Sequence, residues 1–187
     1  VEAARCPRCW FVGASCVCAA VETVPTRTRV VIVRHRLERW RSSNTGRLAN
    51  LVLPNSEIVP YGDDGDVAAQ RLPALADGAW LVFPEGAGVE CLPPPRTLIV
   101  LDATWSQARR MYRKLPAVRG LPVLKLAGGA VAPARLRDSP GDGKVSTIEA
   151  IAAALRAVEG AEQAALALER VFAEAVRSAQ KLGRRST

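Results

Sequence analysis

Apolar and polar positions change period several times along this chain, from β-branched runs to stretches with helical spacing. Val30 to Val33 is β-branched throughout, so Arg29–Val33 predicts a strand. Leu37 to Trp40 begins a short helix, and Asn44-Thr45-Gly46 marks its end or a loop. Leu48 to Leu53 is a second apolar stretch, closed by Pro54. A polar turn over Tyr61 to Asp66 follows, and Asp66 can cap a helix running to about Leu75. Trp80–Phe83 predicts a third strand, Thr97–Leu101 a fourth and Pro122–Leu126 a fifth. Between the last two, Trp105 to Lys114 has a helical pattern that stops before Pro116.

The segment from Ala127 to Gly143 predicts a long loop, and such a loop in a compact domain is usually functional. Ser146-Thr147-Ile148-Glu149 has the spacing of a capping box and opens a helix broken at Gly160. A last helix spans about Ala161 to Leu182, with Leu168, Val171, Phe172 and Val176 on one face. Strands alternating with helices predict an α/β fold with a mostly parallel sheet. The 187 residues suffice for one ordinary domain and a small appendage.

The appendage is the cysteine-rich start. Cys6, Cys9, Cys16 and Cys18 follow the pattern C-x2-C-x6-C-x-C. Two close pairs of thiols supply the four soft ligands of a tetrahedral zinc site, and in a reducing compartment metal is favoured over disulfides. With all four positions filled by protein, the zinc is structural. Cys91, before Pro93-Pro94-Pro95, reads as a small buried residue. Arg5 and Arg8 ahead of Trp10 to Ala14 imitate a signal peptide, but the apolar stretch is short and full of cysteine. No run is long enough to span a membrane, and the expected location is the cytoplasm.

Charge narrows the partner. Lysine and arginine number 26 against 18 acids, giving +8. Seven arginines and a single acid, Glu38, lie between Arg27 and Arg47. Arg109, Arg110, Arg113, Lys114 and Arg119 form a second group. Clustered arginine is the electrostatic footprint of nucleic-acid binding, although a GC-rich coding bias also enriches Arg and Ala.

Familiar catalytic patterns are absent. Gly141 to Thr147 imitates a phosphate loop, but Asp138 replaces its first glycine and Val145 follows the lysine. His35, the one histidine, reads as a structural hydrogen-bonder. Asp102-Ala103-Thr104-Trp105 stands where the fourth strand turns into a helix. Asp102 there is either an N-cap or part of a site, because open α/β sheets hold ligands at the carboxyl ends of their strands.

In this order, several segments together resemble the DTW-domain family of tRNA-uridine aminocarboxypropyltransferases. They are the four cysteines, Arg34-His35-x2-Glu38-x2-Arg41-x2-Asn44-Thr45-Gly46, Phe83-Pro84, Asp102-Ala103-Thr104-Trp105-x-Gln107-Ala108-x2-Met111 and Ser146-Thr147-x-Glu149-Ala150. The resemblance covers nearly the whole chain. It implies a SPOUT-like, trefoil-knot-related sheet over residues 27–187 behind a zinc knuckle over residues 1–26. It also implies transfer of the 3-amino-3-carboxypropyl group of S-adenosylmethionine to N3 of a uridine in tRNA, with release of 5′-methylthioadenosine.

On that resemblance Asp102 is the catalytic candidate, either as the base for N3 or as a holder of the cofactor's ammonium. Phe83, Pro84, Glu85, Gly86, Leu101, Thr104, Trp105, Ser146 and Thr147 are expected around S-adenosylmethionine. Arg34, Arg41, Asn44, Arg47 and Arg109 are expected to face tRNA, with the cofactor carboxylate as another target for the first group. A SPOUT methyltransferase, usually a dimer, and a non-catalytic zinc-containing RNA-binding module are the alternatives. A monomer is expected here.

Overall fold

The computed structural model describes residues 4–63, 67–85, 93–126, 136 and 145–181. Gly86, Cys91, the Asp66 cap, Leu182 and nearly all of the 127–144 segment lie outside the described residues.

Five strands form one sheet in the order β2-β1-β4-β3-β5, with every pairing parallel. They are β1 (Arg29–His35), β2 (Ser56–Tyr61), β3 (Ala79–Val82), β4 (Thr97–Asp102) and β5 (Val123–Leu124). Each side of the sheet is covered. Val30, Ile32, Leu98 and Val100 face α1 (Thr45–Val52), α5 (Thr147–Glu159) and α6 (Glu162–Lys181). Their neighbours Val31, Val33, Ile99 and Leu101 face α2 (Val67–Leu75), α3 (Trp105–Lys114) and α4 (Pro116–Arg119). The period-two alternation thus divides between two cores, and all six residues of β4 are buried.

Two expectations need correction. Asn44-Thr45-Gly46 does not end a helix: Asn44 is the N-cap of α1, its side chain accepting from the Arg47 backbone N–H at 3.0 Å. The apolar stretch after it is therefore helical, and the helix expected from Leu37 to Trp40 is a 3-10 turn, Arg36–Glu38. The strand between the first and third apolar runs is Ser56–Tyr61, carrying Pro60 at the sheet edge where a missing N–H costs little.

The cysteine-rich start packs into the α1/α5/α6 core through Cys9, Phe11, Val17 and Val24. Val24 N–H donates to Val52 O at 2.9 Å, tying the exit of this segment to the end of α1. α5 ends at Gly160, whose φ of 63° is the left-handed C-cap conformation that glycine adopts without strain.

β1 and β4 are neighbours, yet the helices that follow them, α1 and α3, lie on opposite faces. The crevice where connections diverge is the topological switch point of a parallel sheet. There Arg34 and Asp102 are register partners.

Candidate active site at the β1/β4 switch point

A cavity of about 420 Å³ opens at the carboxyl ends of β3 and β4. Its apolar wall includes Val82, Phe83, Val100, Leu101, Leu126, Leu136, Ala150 and Phe172. Its polar wall includes Glu38, Ser43, Thr45, Asp102, Thr104, Ser146 and Thr147. The volume and the mostly apolar lining with a few convergent polar groups suit a small organic ligand. Both charged groups among the described lining residues are acids.

Asp102 is 3% exposed. Asn44 Nδ2 donates to its Oδ2 at 2.6 Å, and Thr147 Oγ1 donates to its Oδ1 at 2.8 Å. The N-cap of α1 and the first residue of α5 therefore meet on one carboxylate, at the helix ends that favour negative charge. Ile148 N–H donates to Thr45 Oγ1 at 3.4 Å, holding the two helix starts together. Burial pushes the Asp102 pKa up, the hydrogen bonds from Asn44 and Thr147 pull it down, Glu38 raises it and Arg34 lowers it.

The helix-cap alternative for Asp102 falls. The N-cap of α3 is Thr104: Gln107 N–H donates to its Oγ1 at 3.4 Å, and Thr104 N–H donates to Gln107 Oε1 at 2.9 Å. Ser146 and Glu149 make the matching box at α5, as their spacing predicts. Both caps bring their residues to the cavity wall.

Of the residues expected around a cofactor, Phe83, Pro84, Leu101, Thr104, Trp105, Ser146 and Thr147 line the cavity. Glu85 is not among the lining residues and pairs with Arg109 at 2.7 Å, both half-exposed. Such a surface pair contributes little to stability. Gly86 is outside the described residues.

The expected nucleic-acid group divides by burial. Asn44 is 2% exposed and its side chain is committed to Asp102 and to the α1 backbone, so the structure places it inside the protein. Arg34 and Arg47 are half-buried, and burial lowers the pKa of each. Arg47 donates to the Arg39 carbonyl and lies over the Trp10 ring, 5.3 Å from its centroid. Its Nη1 is buried without a hydrogen-bond partner among the described residues. Arg41 and Arg109 are exposed, as are Arg36, Arg39, Arg110 and Arg113. His35 lies outside the cavity wall, and its Nδ1 accepts from Leu37 N–H at 3.2 Å.

Glu38, Ser43, Leu126, Leu136 and Phe172 are cavity residues that sequence reasoning did not assign. For Glu38 the available signal is its isolation among seven arginines; it is 1% exposed. Phe172 reads as an ordinary core position of α6.

The four cysteine Sγ atoms lie within 4.8 Å of one another. Cys6 and Cys18 are 3.6 Å apart, and Cys9 and Cys16 are 3.7 Å apart. Four sulfurs bound tetrahedrally at ~2.3 Å stand about 3.8 Å from each other, so these four can bind a metal ion and the spacing is consistent with zinc. The backbone N–H groups of Cys9 and Arg8 bring the Cys6 thiol down to about 6, favouring thiolate there, while burial pushes Cys18 up to about 12.

No helix among the described residues is long and apolar enough to cross a membrane. No solved structure matches the chain. A relative from Drosophila melanogaster, named tRNA-uridine aminocarboxypropyltransferase 2, is 27% identical over 173 residues, covering 83% of this chain and 66% of its own. Another from Arabidopsis thaliana, named tRNA-uridine aminocarboxypropyltransferase A, is 28% identical over 190 residues, covering 82% and 72%. The chain thus spans about two thirds to three quarters of the length of these relatives. Residues 3–180 match the DTW domain, and the chain belongs to the DTW domain family.

Proposed function

We propose that this chain transfers the 3-amino-3-carboxypropyl group of S-adenosylmethionine to N3 of a uridine in tRNA, releasing 5′-methylthioadenosine. The relatives' names supply the reaction class. The observation that carries the reading to this chain is an inversion of charge. The cavity wall holds two buried acids, Glu38 and Asp102, inside a protein of net charge +8. A cationic small molecule suits the inside and a polyanion suits the outside.

S-adenosylmethionine fits this donor set. Phe83, Leu126 and Phe172 offer apolar surface for its adenosine, and Glu38 and Asp102 offer negative charge for its cationic centres. When bound, the sulfonium supplies an activated methylene as electrophile.

Asp102 accepts the N3 proton at a carboxylate oxygen. Its burial raises proton affinity, and Asn44 and Thr147 fix its plane. Each oxygen keeps a lone pair beyond the hydrogen bond it already accepts. One observation favours a second role, anchoring the donor's ammonium: the hydrogen bonds from Asn44 and Thr147 favour the charged carboxylate. The exposed arginines of the 36–41 turn and of α3 hold tRNA phosphates. N3 is masked by base pairing, so the target uridine sits in a loop or is flipped out.

Zinc on Cys6, Cys9, Cys16 and Cys18 completes the reading as a structural ion. The same reading gives a knuckle over residues 1–26, a SPOUT-like arrangement over residues 27–187, a monomer and a cytoplasmic location. The test is incubation of the protein with unmodified tRNA and carboxyl-labelled S-adenosylmethionine. Carboxyl label in tRNA supports the reading. Transfer of methyl label alone makes it a methyltransferase, and absence of S-adenosylmethionine binding leaves a binding module.

A further inference from the structure

Large exposed apolar side chains among the described residues are Leu37 at 54%, Trp40 at 59% and Leu166 at 46%. Leu37 and Trp40 fall within one six-residue stretch that also exposes Arg36, Arg39 and Arg41. A solvent-facing indole among arginines is an uncommon use of a large hydrophobic residue and points to a ligand with a flat π-face and negative charge.

Trp40 is braced by Trp10. The Trp10 ring lies 4.8 Å from it, centroid to centroid, and Trp10 Nε1 donates to the Trp40 carbonyl at 2.9 Å. The Arg39 guanidinium carbon is 4.7 Å from the Trp40 ring centroid. Trp10 holds its place at a φ of 67°, a left-handed conformation that non-glycine residues rarely adopt. It directly follows Cys9, so the cysteine cluster fixes the brace.

The location is also specific. Glu38 and Ser43, on either side of Trp40 in sequence, both line the cavity. The two-residue step from Glu38 reaches at most ~7 Å, so the Trp40 backbone lies close to a residue of the cavity wall.

We infer that Trp40, braced by Trp10 and flanked by Arg36, Arg39 and Arg41, is the stacking platform for an unpaired nucleobase next to the base that enters the cavity. This rests on the proposed RNA acceptor and adds a subsite to it. Stacking on an indole ignores base identity, so the platform supplies hold and register while the cavity selects the reacting base. The arginines supply the salt-dependent phosphate contacts.

The test uses the full, metal-loaded chain as wild type, Trp40→Ala, Trp40→Tyr and Trp40→Phe. The probes are an unmodified tRNA transcript and a short uridine-rich single strand, titrated at fixed salt by anisotropy. Trp40→Ala is expected to weaken both by about ten-fold, and Trp40→Tyr to restore most of the affinity. S-adenosylmethionine affinity should stay at the wild-type value in all three variants, which a structural role reaching the cavity would not allow. RNA should quench indole emission of the wild type more than that of Trp40→Phe, a readout that needs no destabilised variant. Wild-type RNA affinity in Trp40→Ala, or equal quenching in both proteins, overturns the platform. Trp40-dependent binding to anionic lipid vesicles but not to RNA overturns it in favour of a membrane surface. Trp40-dependent RNA binding without label transfer leaves the platform standing and removes the proposed reaction.

Discussion

Gly46 and Asp102 meet so closely that a β-carbon on Gly46 would stand 2.6 Å from Asp102 Oδ2 and 2.7 Å from its Cγ. Alanine is normally the better helix residue by about 1 kcal/mol. Here the carboxylate can yield only by giving up its hydrogen bonds from Asn44 and Thr147. Gly46→Ala should destabilise the protein by about 1–3 kcal/mol, read as a lower urea midpoint. Combining it with Asp102→Ala removes the opposing atoms. The double variant should therefore lose less than the sum of the two singles, and simple additivity would deny the contact.

Asp102→Asn separates stability from activity. Burial raises the folded-state pKa, so the folded protein binds this proton more tightly than the unfolded chain. The contribution of the wild-type carboxyl is therefore most favourable when protonated and declines as pH rises through its folded pKa. The amide carries no such dependence, so Tm of the variant relative to wild type should rise from pH 4 to pH 7. Activity should drop by about 10²–10⁴ if Asp102 is the base, with the acidic limb of the pH profile removed. A loss confined to the KM for S-adenosylmethionine would assign the anchoring role instead.

Ala150 lines the cavity from α5. Ala150→Leu projects a larger side chain into empty space rather than into the packed core, so it should cost less than the ~1–3 kcal/mol of ordinary overpacking. Calorimetry should show at least a ten-fold weaker hold on S-adenosylmethionine, by simple occupation of the site. Unchanged affinity would move the donor elsewhere.

The cysteine cluster should carry one zinc per chain, measurable by elemental analysis. Cys9→Ser, at the buried corner of the cluster, should lose the metal and lower Tm, because thiolate–zinc binding of about 10–16 kcal/mol is coupled to folding. Full zinc content in that variant would exclude Cys9 as a ligand.

Much of the sheet is visible in the sequence because β1 and β4 are buried on both faces and read as unbroken β-branched or aliphatic runs. Ser56–Tyr61 is not, since Ser56, Glu57 and Pro60 give it neither alternation nor a continuous run. α1 was obscured by Gly46, which reads as punctuation yet is required by the approach of Asp102. The strand-end part of the site is legible because Asp102, Thr104, Ser146 and Thr147 stand at boundaries where polar residues mean caps or ligands. Phe172 and Leu126 are not, because only the tertiary fold turns ordinary core residues toward a cavity. Strand order likewise lies in long-range pairing, with Arg29 opposite Thr97.

The cysteine-rich segment and α6 share one core, and Arg170 on α6 pairs with Glu22 at 2.8 Å. During synthesis the cysteine-rich segment leaves the ribosome well before its partner helix. Its four thiols can meet a metal ion early, but its apolar side stays bare until α6 arrives. A chain shortened within α6 would thus keep its four thiols while losing the surface that seats them.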